Sequence, residues 1–140
     1  MKPGPIILIE DDVEDKDVFL DILKDLDISN PVIWFQNCDD AFSYLKMTSE
    51  QPFIIFCDLN LPGMNGIECK GQIDEDKELR KKSIPFVFFS TAVDQKTVND
   101  AYTKMTVQGF FHKKNTYNDL KDTVKLIFAY WDECKHPNSK

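Results

Sequence analysis

Five short apolar runs constrain this chain more than any other feature of it. They are Ile6-Ile7-Leu8-Ile9, Val32-Ile33-Trp34-Phe35, Phe53-Ile54-Ile55-Phe56-Cys57, Phe86-Val87-Phe88-Phe89 and Gly109-Phe110-Phe111. The first four are continuous rather than alternating, and rich in β-branched and aromatic residues. An unbroken apolar run of strand length buries both its faces, which is the condition of a strand inside a parallel sheet. The segments between the runs carry helical spacing: Phe19, Ile22, Leu23 and Leu26; then Ala41, Phe42 and Leu45; then Val98, Ala101, Tyr102 and Met105; and finally Leu120, Val124, Ile127, Phe128 and Trp131 on one stripe. A helix after Gly66 is the weakest pattern, because Gly71 interrupts it at a cost of ~1 kcal/mol relative to Ala.

The resulting order is strand then helix, five times over. Right-handed crossovers then give an α/β fold: a doubly wound five-stranded parallel sheet, flavodoxin-like order 2-1-3-4-5, with helices on both faces. The chain's 140 residues suffice for one domain and leave no room for an output module of normal size. We expect the domain to span residues 1–134 and residues 135–140 to fray. Residues 74–84 hold Asp74, Glu75, Asp76, Lys77, Glu78, Arg80, Lys81 and Lys82, and read as a solvated helix end and loop, or else as a partner contact.

Seventeen basic residues stand against 24 acidic ones, a formal net charge of −7. That argues against a nucleic-acid binder, whose phosphate contacts need clustered Lys and Arg. No run approaches the length of a membrane span, and the first apolar run is too short for a signal peptide and ends in acid. Cys38, Cys57, Cys69 and Cys134 form no CxxC pair, and two of them fall in segments that read as buried. Reduced thiols in a cytoplasmic protein are therefore expected, with neither a disulfide framework nor a zinc site.

In a sheet of this kind ligands bind beyond the carboxyl ends of the strands. Glu10, Asp11 and Asp12 follow the first run, Asp58 the third, Ser90 and Thr91 the fourth, and Lys113 the fifth. Each has a plain reading alone: an acid after a strand caps a helix, as do Ser and Thr, and a loop lysine is solvated. Together they set carboxylates, a hydroxyl and an ammonium along one sheet edge. Carboxylates crowded there repel one another unless a cation compensates. Phosphoryl transfer to a carboxylate would use this set, with hard oxygen ligands for Mg²⁺, an ammonium and hydroxyl for phosphoryl oxygens, and an Asp nucleophile.

The segment Ile7-Leu8-Ile9-Glu10-Asp11-Asp12, the loop Asp58-Leu59-Asn60-Leu61-Pro62-Gly63-Met64-Asn65-Gly66, the stretch Phe89-Ser90-Thr91-Ala92 and Gly109-Phe110-Phe111-His112-Lys113 resemble the receiver domain of two-component response regulators, over about residues 4–132. The resemblance implies that Asp58 accepts a phosphoryl group from a histidine kinase or phosphotransfer protein. It implies that Glu10, Asp11 and Asp58, with the backbone carbonyl of Asn60, hold Mg²⁺. It also implies that Lys113 pairs with the phosphoryl group and that Ser90 or Thr91 follows it. Counting from Pro85 selects Ser90, and counting back from Lys113 selects Thr91; we prefer Ser90.

Two positions depart from the family pattern. Lys114 follows Lys113 where Pro is usual, so a trans bond is expected there, or else a strained cis bond held by the site. The aromatic switch position is Phe110, which lacks the hydroxyl of Tyr, so switching would rest on packing alone. The expected function is a cytoplasmic phosphorylation-dependent switch that signals through protein contact, to an unknown downstream protein or a homodimer mate. It would be no enzyme beyond its own phosphoryl transfer and dephosphorylation. The alternative is a receiver-like interaction module that no longer depends on phosphate.

Overall fold

The structure, a computed structural model, describes residues 3–91 and 94–137. Five strands, β1 (Ile6–Ile9), β2 (Val32–Phe35), β3 (Ile54–Cys57), β4 (Phe86–Ser90) and β5 (Phe110–His112), form one parallel sheet in the order β2-β1-β3-β4-β5. This is the expected doubly wound topology. β1, β3 and β4 are buried throughout and β2, at the edge, only partly, as the neighbours in the sheet require.

Alternate side chains of these strands feed two cores. Ile6, Leu8, Ile54, Phe56, Val87 and Phe89 face one side, where Phe19 and Ile22 of α1 (Val13–Asp25) and Val124, Ile127 and Phe128 of the C-terminal helix pack on them. Phe56 lies edge-on to Phe19 with ring centroids 4.9 Å apart, and stacks on Phe128 at 5.6 Å. Ile7, Ile9, Ile55, Cys57, Phe86 and Phe88 face the other side, toward α2 (Cys38–Met47), α3 (Gly66–Glu75), α4 (Lys77–Lys82) and α5 (Gln95–Lys104). The C-terminal helix, α6, runs Tyr117–Glu133. Full burial of side chains such as Phe56 or Ile55 contributes about 1.5–3 kcal/mol each.

Among the described residues six helices form rather than five. α3 runs through Gly71, and Asp76 then ends α3 and caps α4, its carboxylate accepting the amides of Glu78 and Leu79. The charged side chains of residues 74–84 are exposed or half-buried, as expected, but the segment forms a short helix rather than a loop. Leu79 enters the core, Asp76 pairs with Lys46 at 2.8 Å, and Lys82 donates to the carbonyl of Thr48 at 3.0 Å. A high count of charges hid a single buried apolar anchor.

The cysteine expectation is also corrected. Cys38 and Cys69 form a disulfide between α2 and α3, with Cα atoms 5.7 Å apart across 31 residues of sequence, and Cys57 and Cys134 are free. Such a pairing is set by contact of two helices and leaves no mark in local spacing. At the C-terminus, His136 is buried, stacked on Phe53 and bonded to its carbonyl, so the chain is docked there rather than frayed; residues 138–140 lie outside the described residues.

Candidate functional site

Three residues of the site sit one position past the end of a strand, and each is pinned by a ladder-like backbone bond. Glu10 N–H donates to Phe35 O at 2.9 Å, Asp58 N–H to Ile9 O at 3.0 Å, and Lys113 N–H to Ser90 O at 2.8 Å. The sheet thus fixes their backbones through main-chain bonds alone. Strand alternation sends Glu10, Asp58 and Lys113 to the α1 and α6 side, with Leu8, Phe56 and Phe111. There they line a small cavity of about 70 Å³ with Asp15, Thr91 and Lys114, over a floor of Phe19 and Phe56.

Lys113 is the centre of the cluster. Its ammonium bonds the Glu10 carboxylate at short range, Asp15 Oδ2 at 3.1 Å and Asp58 Oδ2 at 3.1 Å. Burial opposes the ammonium charge, but the bond to Glu10 and the charges of Glu10 and Asp58 outweigh it and raise the pKa of Lys113. Burial, followed by the hydrogen bond with Asp58, pushes Glu10 up to about 8. Burial would raise Asp58 too, yet the hydrogen bond from Glu10, the Lys113 charge and the Ser90 hydroxyl hold it below the usual carboxylate range. The environment thus pushes the two acids apart, Glu10 toward its neutral form and Asp58 toward its anion.

Ser90, the last residue of β4, is buried and donates its hydroxyl to Asp58 Oδ1 at 2.9 Å. Thr91 is exposed and lies at the cavity wall; Ala92 lies outside the described residues. Asn60 donates its backbone N–H to Asp58 Oδ1 at 3.2 Å. Gly66 is packed so closely that a Cβ there would lie 2.4 Å from the Asp58 carbonyl oxygen, while Gly63 takes φ +73° in the turn between. Asn65 and Glu68 close a reciprocal cap on α3, so the acceptor loop and the helix after it form one unit. Phe110 lies on the opposite face, half-buried, its ring 5.2 Å from that of Phe88. The bond after Lys113 is trans, since no peptide bond among the described residues is cis.

The acids do not all converge. Asp12 caps α1, accepting the amide of Asp15 at 3.0 Å, and Asp11 is exposed. The carboxylates with oxygens within 4.8 Å of one another belong to Glu10, Asp15 and Asp58. Sequence reading missed Asp15. The signal for it was its place in the first turn of α1, which turns back over the sheet edge. Three carboxylates against one ammonium leave a formal excess of two negative charges when all are ionised. Hard oxygen donors with that excess fit a divalent cation such as Mg²⁺.

Acids, a hydroxyl and a lysine are thus gathered over the carboxyl edge of a doubly wound sheet. Residues 6–125 match the response regulator receiver domain. The chain is 28% identical over 133 residues to the probable methanogenesis regulatory protein FilR2 of Methanothrix harundinacea, covering 92% of this chain and 84% of that protein. It is 28% identical over 136 residues to the response regulator Rcp1 of Synechocystis, covering 94% and 90%. Among solved structures it is similar to the phosphorylated cyanobacterial phytochrome response regulator RcpA, with TM-score 0.85, 26% identity and coverage of 96% and 99%. It is similar also to the Mn²⁺-bound form of Rcp1, with TM-score 0.80, 28% identity and coverage of 94% and 96%. The chain belongs to the response regulator receiver domain family. Among the described residues no helix is long and apolar enough to cross a membrane.

Proposed function

We propose that the chain is a cytoplasmic phosphorylation-dependent switch in which Asp58 accepts a phosphoryl group from a histidine kinase or phosphotransfer protein. The observation that carries this reading is the convergence of Lys113 and the Ser90 hydroxyl on the two oxygens of a single carboxylate, Asp58. An Asp58 oxygen attacks phosphorus in line, the phosphorus–nitrogen bond of the donor phosphohistidine breaks, and the imidazole leaves with its electron pair and takes a proton. Lys113 then faces a phosphoryl oxygen in place of carboxylate, and Ser90 donates to another. Mg²⁺ would be held by Glu10, Asp11 and Asp58 with the Asn60 backbone carbonyl, and when bound it supplies positive charge to the transferring group. The chain would be no enzyme beyond this transfer and its reversal by water.

Movement of Ser90 toward the phosphoryl group vacates space on the Phe88 face, which Phe110 would fill. Output would pass through α5, β5 and α6 to a separate protein or a second copy of the chain. Acetyl phosphate with Mg²⁺ tests the reading: intact mass spectrometry should find one phosphoryl group on the wild type and none on Asp58→Asn. Hydrogen exchange should change across residues 94–131 on labelling. A wild type that takes no phosphoryl group would favour the alternative, a receiver-like interaction module independent of phosphate.

A further inference from the structure

We infer that Asp15 is a positioning residue that holds Lys113 in the resting site and sets how readily Asp58 is phosphorylated. The inference rests on the reading of Asp58 as the acceptor. Lys113 divides its ammonium among three carboxylates, and Asp15 is the one outside the strand ends. The side chains of Glu10 and Asp58 are 3% and 11% exposed, that of Asp15 41%. Asp15 is therefore the carboxylate that solvent and an approaching donor meet first. Its backbone is fixed by the Asp12 cap, and its Oδ2 stands 3.1 Å from the ammonium.

Two consequences follow from charge alone. A phosphoryl donor is an anion, so a fixed negative charge at the entrance lowers its local concentration. Lys113 must also turn from carboxylates to a phosphoryl oxygen as transfer proceeds, and each carboxylate it bonds at rest opposes that move. Removing the charge of Asp15 relieves both effects while leaving Glu10, Asp58 and Ser90 in place. Asp15 touches Lys113 and no reacting atom, so its effect is exerted through Lys113 and the local field.

The experiment compares initial rates of acetyl phosphate labelling of wild type, Asp15→Asn and Asp15→Glu, at low and at high ionic strength, with Mg²⁺ affinity measured by calorimetry. Asp15→Asn should label about three- to tenfold faster at low ionic strength, and the gap should narrow in high salt as the field is screened. Asp15→Glu should restore the wild-type rate, and Mg²⁺ affinity of Asp15→Asn should fall by less than about tenfold, since the field that repels the donor also attracts the cation, so rates are compared at saturating Mg²⁺. A residue that merely supports α1 would shift melting temperature and not the salt-dependent rate. Labelling of Asp15→Asn at or below the wild-type rate would overturn the inference. So would loss of Mg²⁺ binding in that variant, which would make Asp15 a cation ligand instead. A wild type that takes no phosphoryl group fails the Asp58 reading and this inference with it, whereas a labelled wild type matched by Asp15→Asn fails this inference alone.

Discussion

The Ser90 hydroxyl donates to Asp58 Oδ1 across 2.9 Å, so in the unmodified chain the end of β4 is already tied to the end of β3. Ser90 is buried and Thr91, its neighbour, is exposed. Ser90→Ala should cost about 1–2 kcal/mol in urea unfolding, because it leaves a mostly buried carboxylate short of a donor. Thr91→Ala should stay within about 0.5 kcal/mol of wild type. A loss from Thr91→Ala larger than that from Ser90→Ala would overturn the Ser90–Asp58 bond.

Mg²⁺ should raise the melting temperature, by mass action on the folded state. The gain is about 2.7 kcal/mol when the ion is at a hundred times its dissociation constant. Asp11 is exposed beside Glu10 and forms no part of the Lys113 cluster, so its carboxylate is open to a cation. Asp11→Ala should abolish the rise. A thermal shift in Asp11→Ala equal to that of wild type would move the ion to the Glu10, Asp15 and Asp58 group.

Glu10 gives the metal-free protein a pH dependence of unusual sign for a carboxylate. Its folded pKa lies at about 8 against an ordinary 4.5, so between those values the folded state binds more protons than the unfolded one. The contribution of Glu10 to stability is therefore complete below pH 4.5 and is lost as pH rises through about 8. With Glu10→Gln as a reference that does not titrate, the melting temperature of wild type minus that of the variant should fall across this window in the presence of a chelator. A difference that stays flat across this window would mean that Glu10 is ionised at rest.

The Cys38–Cys69 bond closes a loop of 31 residues that contains β3 and the acceptor loop. In the chain-entropy account such a crosslink contributes about 3–4 kcal/mol. Thiol counting on the denatured, unreduced chain should find Cys57 and Cys134 alone, and all four after reduction. Cys38→Ser with Cys69→Ser should lower the urea midpoint accordingly. Four reactive thiols without reductant would show the pair to be unlinked.

The strands were legible because each declares itself by residue type alone, and their order followed from the strand-helix alternation of a doubly wound fold. Runs such as Ile6–Ile9 and Val32–Phe35 are apolar on both faces, and only a central or covered strand tolerates that. Glu10, Asp58, Ser90 and Lys113 were legible for the same reason, since a parallel sheet delivers whatever follows its strands to one edge. Asp12 could be a cap or a ligand from its position, and the geometry makes it the cap of α1.

Other features depend on contacts between residues distant in sequence, and no local pattern encodes them. Asp15 reaches Lys113 across 98 residues only because α1 packs back over the sheet edge. The Cys38–Cys69 bond needs α2 and α3 side by side, and α4 is held by one buried leucine among charges, Leu79. His136 docks on Phe53 although the tail around it is polar. The choice between Ser90 and Thr91 also lay beyond counting. Strand alternation alone would put Thr91 on the cavity side and Ser90 on the Phe110 side. The sheet then brings β4 close enough to β3 for Ser90 to bond Asp58 from that second face. Residue type and period determined the elements and their edge chemistry, because burial and hydrogen bonding act within each segment. Partners, charges and the split of the two acids were decided by tertiary structure, because they depend on which distant groups share one small, poorly hydrated volume.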